Sequence, residues 1–303
     1  MKPSDPTLLL RPSLIPAWLS VGLLWLLHWL PLWLQASIGN ALGWLLAKLP
    51  GKRRHIVATN LALCFPDTPE SVRRRWLQQT FQASVRAALE HGVLRWGSAS
   101  RLRRLIQIDN PEAALGDGVR PVIWLAPHFV GLVMGGVRLS MDHRLTTMYR
   151  PAKNPVIDRM MLLGRARFSA LLISKEDGIK PVLKTLKDQQ PFYYLPDQDQ
   201  GRHNAVFVPF FGIPTATISA LPRLAKLTGA QIVPVTTRQL PGGQGYRVRF
   251  YPPWGNFPSD DLEADVARMN AFIEDRIRDM PPQYLWLHRR FKTRPAGVPS
   301  LYE

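Results

Sequence analysis

The feature that most constrains this chain is a long uncharged stretch near its start. From Pro12 to Ala47 the sequence contains no Lys, Arg, Asp or Glu. A run of about 18 apolar residues is already a candidate transmembrane helix. Pro31 lies near the middle of the stretch and is expected to kink or break a helix there, because its ring removes a backbone donor and clashes with the preceding turn. The stretch therefore predicts a bent apolar element.

Tryptophan is concentrated in the same part of the chain. Of the ten tryptophans, five lie within the first 50 residues, and these are Trp18, Trp25, Trp29, Trp33 and Trp44. The first four share one stripe at helical pitch. Trp at bilayer depth prefers the headgroup interface. A helix that lies in the interface fits this pattern at least as well as a helix that spans the membrane.

Basic residues stand on both sides of the stretch, with Lys2 and Arg11 before it and Lys48 and residues 52–54 after it. The positive-inside rule then gives no single orientation, and we expect a bent or interfacial anchor with both ends on the cytoplasmic side. The alternatives are an ordinary buried core helix and a cleaved signal peptide; the latter lacks a clean small-residue cleavage site. We expect residues 1–50 to form the anchor and residues 51–303 to form a separate folded domain.

The charge balance of the whole chain points to an acidic partner. There are 39 Lys and Arg residues against 22 Asp and Glu residues, a formal net charge of +17. Such an excess suits nucleic acid, an anionic membrane surface, or an acidic protein or ligand. A hydrophobic content of 46% excludes a disordered chain. The single cysteine excludes an intramolecular disulfide and fits a reducing, cytoplasmic setting.

From residue 121 onward, short apolar runs alternate with amphipathic stretches. We predict strands near 122–126, 145–149, 171–173, 192–195, 205–209, 231–236 and 246–251. We predict helices over 131–140, 154–168, 178–187, 218–227 and 260–278. This alternation is typical of an α/β domain with a mostly parallel sheet flanked by helices. The glycines at 242–245 are expected to form a hairpin turn.

An earlier helix is expected to begin at Thr68–Pro69–Glu70, which reads as an N-cap, a proline at the first position and an acidic first turn. It should continue to about residue 93. Its first turns carry Arg73, Arg74 and Arg75, an unfavourable sign for the helix dipole. These arginines form either a solvated face or a contact with phosphate or lipid headgroups beside the anchor.

The first stretch with chemical potential is the predicted strand that ends in Ala126-Pro127-His128. Functional groups gather at the carboxyl ends of strands in open α/β sheets. A histidine there is well placed as a general base, because its ordinary pKa of about 6.5 is near working pH. The alternative is a structural histidine with its hydrogen bonds satisfied.

Two further stretches follow other predicted strands. Basic residues that suit phosphate or carboxylate binding follow the strand near 145–149, and they are Arg150, Lys153, Arg165 and Arg167. Acidic residues follow the strand near 192–195, and Asp197, Asp199 and His203 have side chains that could in principle ligate a metal. We expect no metal, because a loop Asp more often caps a turn. The next aromatic turn carries Phe210 and Phe211, which line an apolar pocket or belong to the core.

The order of these stretches resembles the late acyltransferases of lipid A biosynthesis, the lauroyl/myristoyl transferase family of Gram-negative bacteria. The likeness covers nearly the whole chain. It rests on the apolar N-terminal stretch and on seven further segments: 52–66 (KRRHIVATNLALCFP), 126–132 (APHFVGL), 149–155 (YRPAKNP), 196–199 (PDQD), 206–212 (VFVPFFG), 232–235 (IVPV) and 283–292 (QYLWLHRRFK).

The resemblance implies a glycerolipid-acyltransferase-like fold and a monotopic enzyme of the inner membrane, with residues 51–303 as the catalytic domain on the cytoplasmic face. Such an enzyme moves a fatty acyl chain from acyl carrier protein to a hydroxyl of a hydroxyacyl chain on a lipid A precursor. No metal or redox cofactor is expected. Acyl carrier protein is acidic and lipid A is phosphorylated, so both suit a basic chain. Nucleic acid is not expected, because no binding motif for it is present.

The resemblance also suggests roles for the candidate residues. His128 would be the base for the acceptor hydroxyl. Arg165 would hold phosphate or steady charge at the reacting carbonyl. The headgroup or carrier phosphates would be bound by Arg150, Lys153 and Arg167, and the aromatic turn at Phe210 and Phe211 would supply an apolar slot for the acyl chain.

The chain departs from the family pattern at one position. The family signature is His, four residues, then Asp or Glu, and the acid orients the histidine. Here the residue five after His128 is Val133. Three explanations stay open: another acid serves, with Asp199 or Asp197 as candidates; the protein is a silent relative that binds lipid; or Val133 is an altered residue. Val133→Glu should raise activity if the missing acid is the only defect.

Overall fold

The computed structural model describes Leu9 and residues 11–302; Lys2, part of the predicted basic flank, lies outside the described residues. The helices are α1 Ile15–Leu27, α2 Leu32–Lys48, α3 Lys52–Cys64, α4 Glu70–Trp96, α5 Ala99–Leu105, α6 Leu132–Leu139, α7 Pro155–Arg165, α8 Lys180–Lys187, α9 Ala220–Thr228 and α10 Leu262–Asp279. The strands are β1 Ile106–Asp109, β2 Val122–Leu125, β3 Leu145–Tyr149, β4 Ala170–Ser174, β5 Phe192–Tyr194, β6 Ala205–Phe210, β7 Ile213–Ile218, β8 Gln231–Gln239 and β9 Tyr246–Phe250.

Seven strands form one sheet in the order β1-β9-β8-β2-β5-β3-β4. The five strands from β8 to β4 pair in parallel, whereas β9 pairs antiparallel with β8 and parallel with β1. The helices between the parallel strands supply the crossovers that parallel pairing requires. The predicted α/β class with a mostly parallel sheet is confirmed. Strands β6 and β7 form a separate antiparallel hairpin.

Two apolar clusters cover the two faces of this sheet. All four residues of β2 are buried, as expected for a strand with both faces covered. Because side chains alternate along a strand, Ile123 and Leu125 enter one cluster. Val122 and Trp124 enter the other. The sheet is therefore the middle layer of the domain. The carboxyl ends of its five parallel strands lie together at one edge.

The apolar N-terminal stretch folds as two helices and not as one. Pro31 is the N-cap of α2 and separates it from α1, which confirms the predicted break. Within the described part of the chain, no helix is long and apolar enough to cross a membrane. One face of α2 packs closely against α4, where a Cβ on Gly43 would lie 2.4 Å from the Cα of Gln82.

The other face of these two helices is open. All five N-terminal tryptophans are 43–69% exposed. A single isolated apolar side chain on a surface needs no explanation, but a continuous set of this size marks an interaction surface. The alternative of an ordinary buried helix pair is thus excluded for this face.

The remaining predicted elements lie close to their observed bounds, but four observed elements were not predicted. They are helices α3 and α5 and strands β1 and β7. Helix α4 begins at Glu70 as expected, but Pro69 and not Thr68 is its N-cap. The turn at 242–245 does connect two antiparallel strands, β8 and β9.

Candidate active site

The candidate site forms where two neighbouring parallel strands end. In the pairing of β2 with β5, Leu125 stands opposite Tyr194. His128 lies three residues after Leu125, and Asp197 lies three residues after Tyr194. The backbone pairing continues for one further step, because Ala126 N–H donates to the Tyr194 carbonyl at 2.9 Å. Equal distances along adjacent strands bring the two side chains together.

Hydrogen bonds lock His128 onto Asp197. The His128 Nδ1 lies 2.7 Å from Asp197 Oδ1. The backbone N–H of His128 also donates to Asp197, at 2.9 Å to Oδ2 and 3.2 Å to Oδ1. The Asp197 side chain is fully buried, whereas that of His128 is 18% exposed. The carboxylate therefore sits beneath the ring, and the ring reaches the surface.

The charge state of Asp197 follows from these contacts. Burial would raise the pKa of its carboxyl group, but the adjacent His128 ring and the hydrogen bonds from His128 outweigh burial and hold the pKa below its ordinary value. Asp197 is thus a carboxylate at neutral pH. A carboxylate on Nδ1 orients the imidazole, supports a positive charge on it, and leaves Nε2 as the nitrogen that receives a proton.

Small residues after His128 let the next helix pack directly on the sheet. A Cβ on Gly131 would lie 2.8 Å from the Thr237 carbonyl oxygen of β8, and one on Gly135 would lie 2.0 Å from Thr237 Oγ1. Any larger side chain at these positions would push α6 away from β8. The loop that carries His128 is therefore held close to the sheet from both ends.

The C-terminal segment, from Gln283 onward, completes the surroundings of the His128–Asp197 pair, called the dyad below. It runs beside the His128 loop, since Leu285 N–H donates to the His128 carbonyl at 3.0 Å and Val130 N–H donates to the Gln283 carbonyl at 2.8 Å. Tyr284 is buried behind Asp197; burial and then the Asp197 charge raise the pKa of its phenol. Sequence reasoning gave these residues no role, although they lie in the 283–292 segment that carried part of the resemblance.

Asp199, the other candidate acid, serves a different contact. Its carboxylate accepts hydrogen bonds from Thr293, at 2.6 Å from the backbone N–H and 2.8 Å from the hydroxyl. Its backbone N–H donates to Nε2 of His288 at 2.9 Å. Burial, followed by the charge of Arg290, lowers the pKa of His288 to about 4. Asp199 thus pins the C-terminal segment, and the acid at His128 is Asp197.

No cluster of three potential metal ligands occurs among the described residues. His203 is exposed on its loop, whereas the carboxylates of Asp197 and Asp199 are taken by His128 and Thr293. Both carboxylates therefore have hydrogen-bond partners within the protein.

The basic candidates lie at two places. Arg150 and Lys153 are exposed just after β3, the strand next to β5, and so share the edge at which the dyad lies. Arg165 is the last residue of α7 and lies near His91 of α4. Burial lowers the pKa of His91, and the charge of Arg165 lowers it further. Burial lowers the pKa of Arg165, and Asp158 opposes that shift. The Arg167 guanidinium donates to the Leu94 carbonyl at 3.1 Å.

The two aromatic candidates differ in burial. Phe210 is fully buried, with Arg290 5.0 Å over its ring and Tyr284 at 6.2 Å between ring centroids, so it belongs to the core behind the dyad. Phe211 is half-buried and stacks at 5.1 Å on Phe65. Only Phe211 offers part of its ring to a ligand.

Val133, which occupies the position of the family's acid, lies in the first turn of α6. It is half-buried and packs against the apolar cluster that contains Met134 and Val137. The carboxylate contact to His128 is instead made by Asp197, just after the neighbouring strand β5.

The whole sequence is similar to a family of known proteins. The sequence profile of the bacterial lipid A biosynthesis acyltransferases matches residues 2–293. The lipid A biosynthesis lauroyltransferase of Escherichia coli K12 is 36% identical over 303 residues, 99% of each chain. A lipid A biosynthesis acyltransferase of Haemophilus influenzae is 33% identical, over 97% of this chain and 96% of its own.

A palmitoleoyltransferase of lipid A biosynthesis from Escherichia coli K12 is 32% identical over 97% of this chain and 96% of its own. Among solved structures, the 1-acyl-sn-glycerophosphate acyltransferase PlsC of Thermotoga maritima matches with 12% identity and a TM-score of 0.34, over 76% of this chain and 98% of that chain. The full-length sequence matches establish that the chain belongs to the bacterial lipid A biosynthesis acyltransferase family.

Proposed function

We propose that this acyltransferase transfers a fatty acyl chain from acyl carrier protein to a hydroxyl of a hydroxyacyl chain on a lipid A precursor, with His128 and Asp197 as its catalytic dyad. The observation that carries the proposal is the 2.7 Å contact between His128 Nδ1 and Asp197 Oδ1. A silent lipid-binding relative would instead surround the histidine with apolar side chains. The carboxylate beneath the ring favours the enzyme.

The chemistry follows from the two ring nitrogens. Nε2 of His128 takes the proton of the acceptor hydroxyl as its oxygen attacks the thioester carbonyl, and Asp197 supports the charge that forms on the imidazole. The thioester carbon–sulfur bond then breaks, the acyl chain remains on the acceptor oxygen, and the proton passes to the departing thiolate. These reaction steps require no metal or redox cofactor.

Substrate contacts are assigned by position and charge. Arg150 and Lys153 share the strand edge of the dyad, and they suit the phosphates of the acceptor or of the carrier. We assign a supporting phosphate contact to Arg165, at the end of α7, and to Arg167, two residues after it. The half-buried ring of Phe211 lines the proposed acyl slot. The net charge of +17 suits both an acidic carrier protein and a phosphorylated acceptor.

We propose that α1 and α2 hold residues 51–303, the catalytic domain, on the cytoplasmic face of the inner membrane. The support is the exposed apolar surface of the two helices, on which Leu19 and Trp29 are both 69% exposed. Replacing Trp29 and Trp33 by Ser should reduce cosedimentation with vesicles of anionic phospholipid. The same double change should leave the thermal melting temperature unaltered, since both side chains already face solvent.

The experiment that tests the activity is an acyl-transfer assay on purified membranes. It supplies acyl carrier protein thioesters and a tetra- or penta-acylated lipid A precursor to the native chain and to His128→Ala, at equal protein abundance. Turnover that disappears with His128 supports the proposal. No turnover by the native chain, with the protein folded and still able to bind lipid, would favour the silent relative.

A further inference from the structure

A basic cavity lies beside the apolar N-terminal helices and outside the dyad. It has a volume of about 300 Å³ and is lined by Ala47, Lys48, Arg54, Arg74, Leu77 and Gln78. These residues come from the last turn of α2, the first turns of α3 and the first half of α4. The volume lies at the lower end of the range for small-ligand pockets. Its lining combines three cations with an apolar floor.

Each of the three cations is held by a neighbour. The Nε of Arg54 donates to the Ala47 carbonyl at 3.0 Å. Lys48 Nζ lies 3.4 Å over the Trp44 ring. The Arg74 guanidinium donates to Glu70 at 2.6 Å, in a pair whose side chains are 75% and 66% exposed. Such an exposed pair contributes little stability, so Arg74 can turn to a stronger anion. Groups held in place before binding lose less entropy on binding.

The three consecutive arginines of α4 are thereby separated in role. Arg73 donates to the Phe65 and Pro66 carbonyls at 2.9 and 3.0 Å and joins α4 to the preceding loop. Arg75 is exposed and does not line the cavity. Only Arg74 contributes to the basic cavity. The sequence leaves open whether these arginines form a solvated face or contact phosphate, and Arg74 is the one of the three that lines the cavity.

The place of the cavity identifies the kind of anion. The turn of α2 that supplies Lys48 also carries Leu45, Leu46 and Leu49, which are 44–52% exposed. A ligand at the cavity therefore meets cations and exposed apolar side chains within one helical turn. A phosphate ester attached to acyl chains matches both features, because its phosphate fits the cations and its chains cover the leucines.

We propose that the cavity lined by Lys48, Arg54 and Arg74 binds the phosphate headgroup of an anionic membrane lipid, whose phosphate has no choline cation to compete with the three side chains. This inference rests on the proposed membrane association of α1 and α2. The bound lipid would fix the depth and the rotation of the N-terminal helices at the membrane surface, and thereby the height of the dyad above it.

The test measures binding of the full-length chain to phosphatidylcholine vesicles with and without phosphatidylglycerol. The site variant is Lys48→Gln/Arg74→Gln. The matched control is Lys52→Gln/Arg75→Gln, which removes the same charge from exposed neighbours outside the cavity. Measurements in about 1 M salt, where the Debye length is about 3 Å, suppress the general attraction to an anionic surface. All four substituted side chains are exposed, and thermal melts confirm folding.

In high salt we expect the native chain to prefer vesicles that contain phosphatidylglycerol. The preference should fall about tenfold in the site variant and less than twofold in the control. Equal binding to both vesicles, or equal losses in the two variants, would overturn the headgroup site. Binding to neither vesicle would refute the membrane association itself. Binding of inorganic phosphate at the cavity together with no preference between the two vesicles would show that the cavity takes free phosphate, which would overturn the lipid as its ligand.

Discussion

Replacing Asp197 by Asn removes the one charge that supports the proposed base. The substitution keeps the size of the side chain and leaves an oxygen to accept the His128 backbone N–H. It abolishes the attraction between the carboxylate and the imidazolium that forms during proton transfer. Because the Asp197 side chain is fully buried and acts on the reaction through His128, we expect kcat to fall while KM changes little.

The magnitude follows from the geometry. With Nδ1 and Oδ1 2.7 Å apart, the centres of the two charges lie about 4 Å apart, where an effective dielectric constant of about 20 gives about 4 kcal/mol. Each ~1.4 kcal/mol of barrier is a tenfold change in rate. The loss of charge alone then costs about 10³-fold in kcat. Disorientation of the ring can add about another tenfold, as it does when the aspartate of a serine protease triad is replaced by asparagine.

The assay compares kcat and KM of the native chain with those of three variants in the membrane acyl-transfer assay. These are Asp197→Asn, Val133→Glu and the double variant. Because Val133 packs against an apolar cluster, Val133→Glu should leave activity unchanged or lower it, and the double variant should stay as slow as Asp197→Asn. An Asp197→Asn enzyme that keeps more than about a tenth of native kcat would refute the dyad. Recovery in the double variant would show that residue 133 reaches His128.

Two further predictions concern stability. The pKa of His288 is lowered to about 4 in the folded protein, so the folded state favours the neutral imidazole. This contribution to the free energy of unfolding is complete above about pH 6.5 and is lost as pH falls from 6.5 toward 4, by about 3 kcal/mol at most. His288→Gln, which still offers an acceptor to the Asp199 N–H, should flatten the melting temperature over that interval; an unchanged slope would contradict this origin. Gly43→Ala should destabilise by several kcal/mol, because its Cβ would meet the Gln82 backbone at 2.4 Å. Gly22, with open space around it, is the matched control, and Gly22→Ala should stabilise by about 0.5–1 kcal/mol in circular dichroism melts. Equal effects of the two changes would refute the close packing of α2 on α4.

The fold class was predictable because buried strands and amphipathic helices differ in their apolar period. The two strands that were missed show the limits of that signal. Strand β1 is a four-residue edge strand in which only Ile106 is buried. Strand β7 contains Pro214 and follows a turn at Phe211 and Gly212, so its pattern resembles a loop until pairing with β6 is known.

The apolar N-terminal stretch was predictable as apolar and broken at Pro31, since proline acts on the backbone of its own helix. Which sides of the two helices are buried and which are exposed was not predictable. The sequence shows five tryptophans, but only packing against α4 decides which side of α2 is covered and leaves Trp33 and Trp44 exposed.

The sequence by itself determined the family, the candidate base His128 and the absence of an acid at residue 133, because these depend on residue identity and local spacing. It left Asp197 and Asp199 equivalent. The tertiary structure decided between them through the pairing of β2 with β5, which sets Leu125 opposite Tyr194 and so brings Asp197 to His128. Those two side chains are 69 residues apart in the chain. Strand register is a long-range property, fixed by the burial of whole strands between two apolar clusters, and no local pattern of residues carries it.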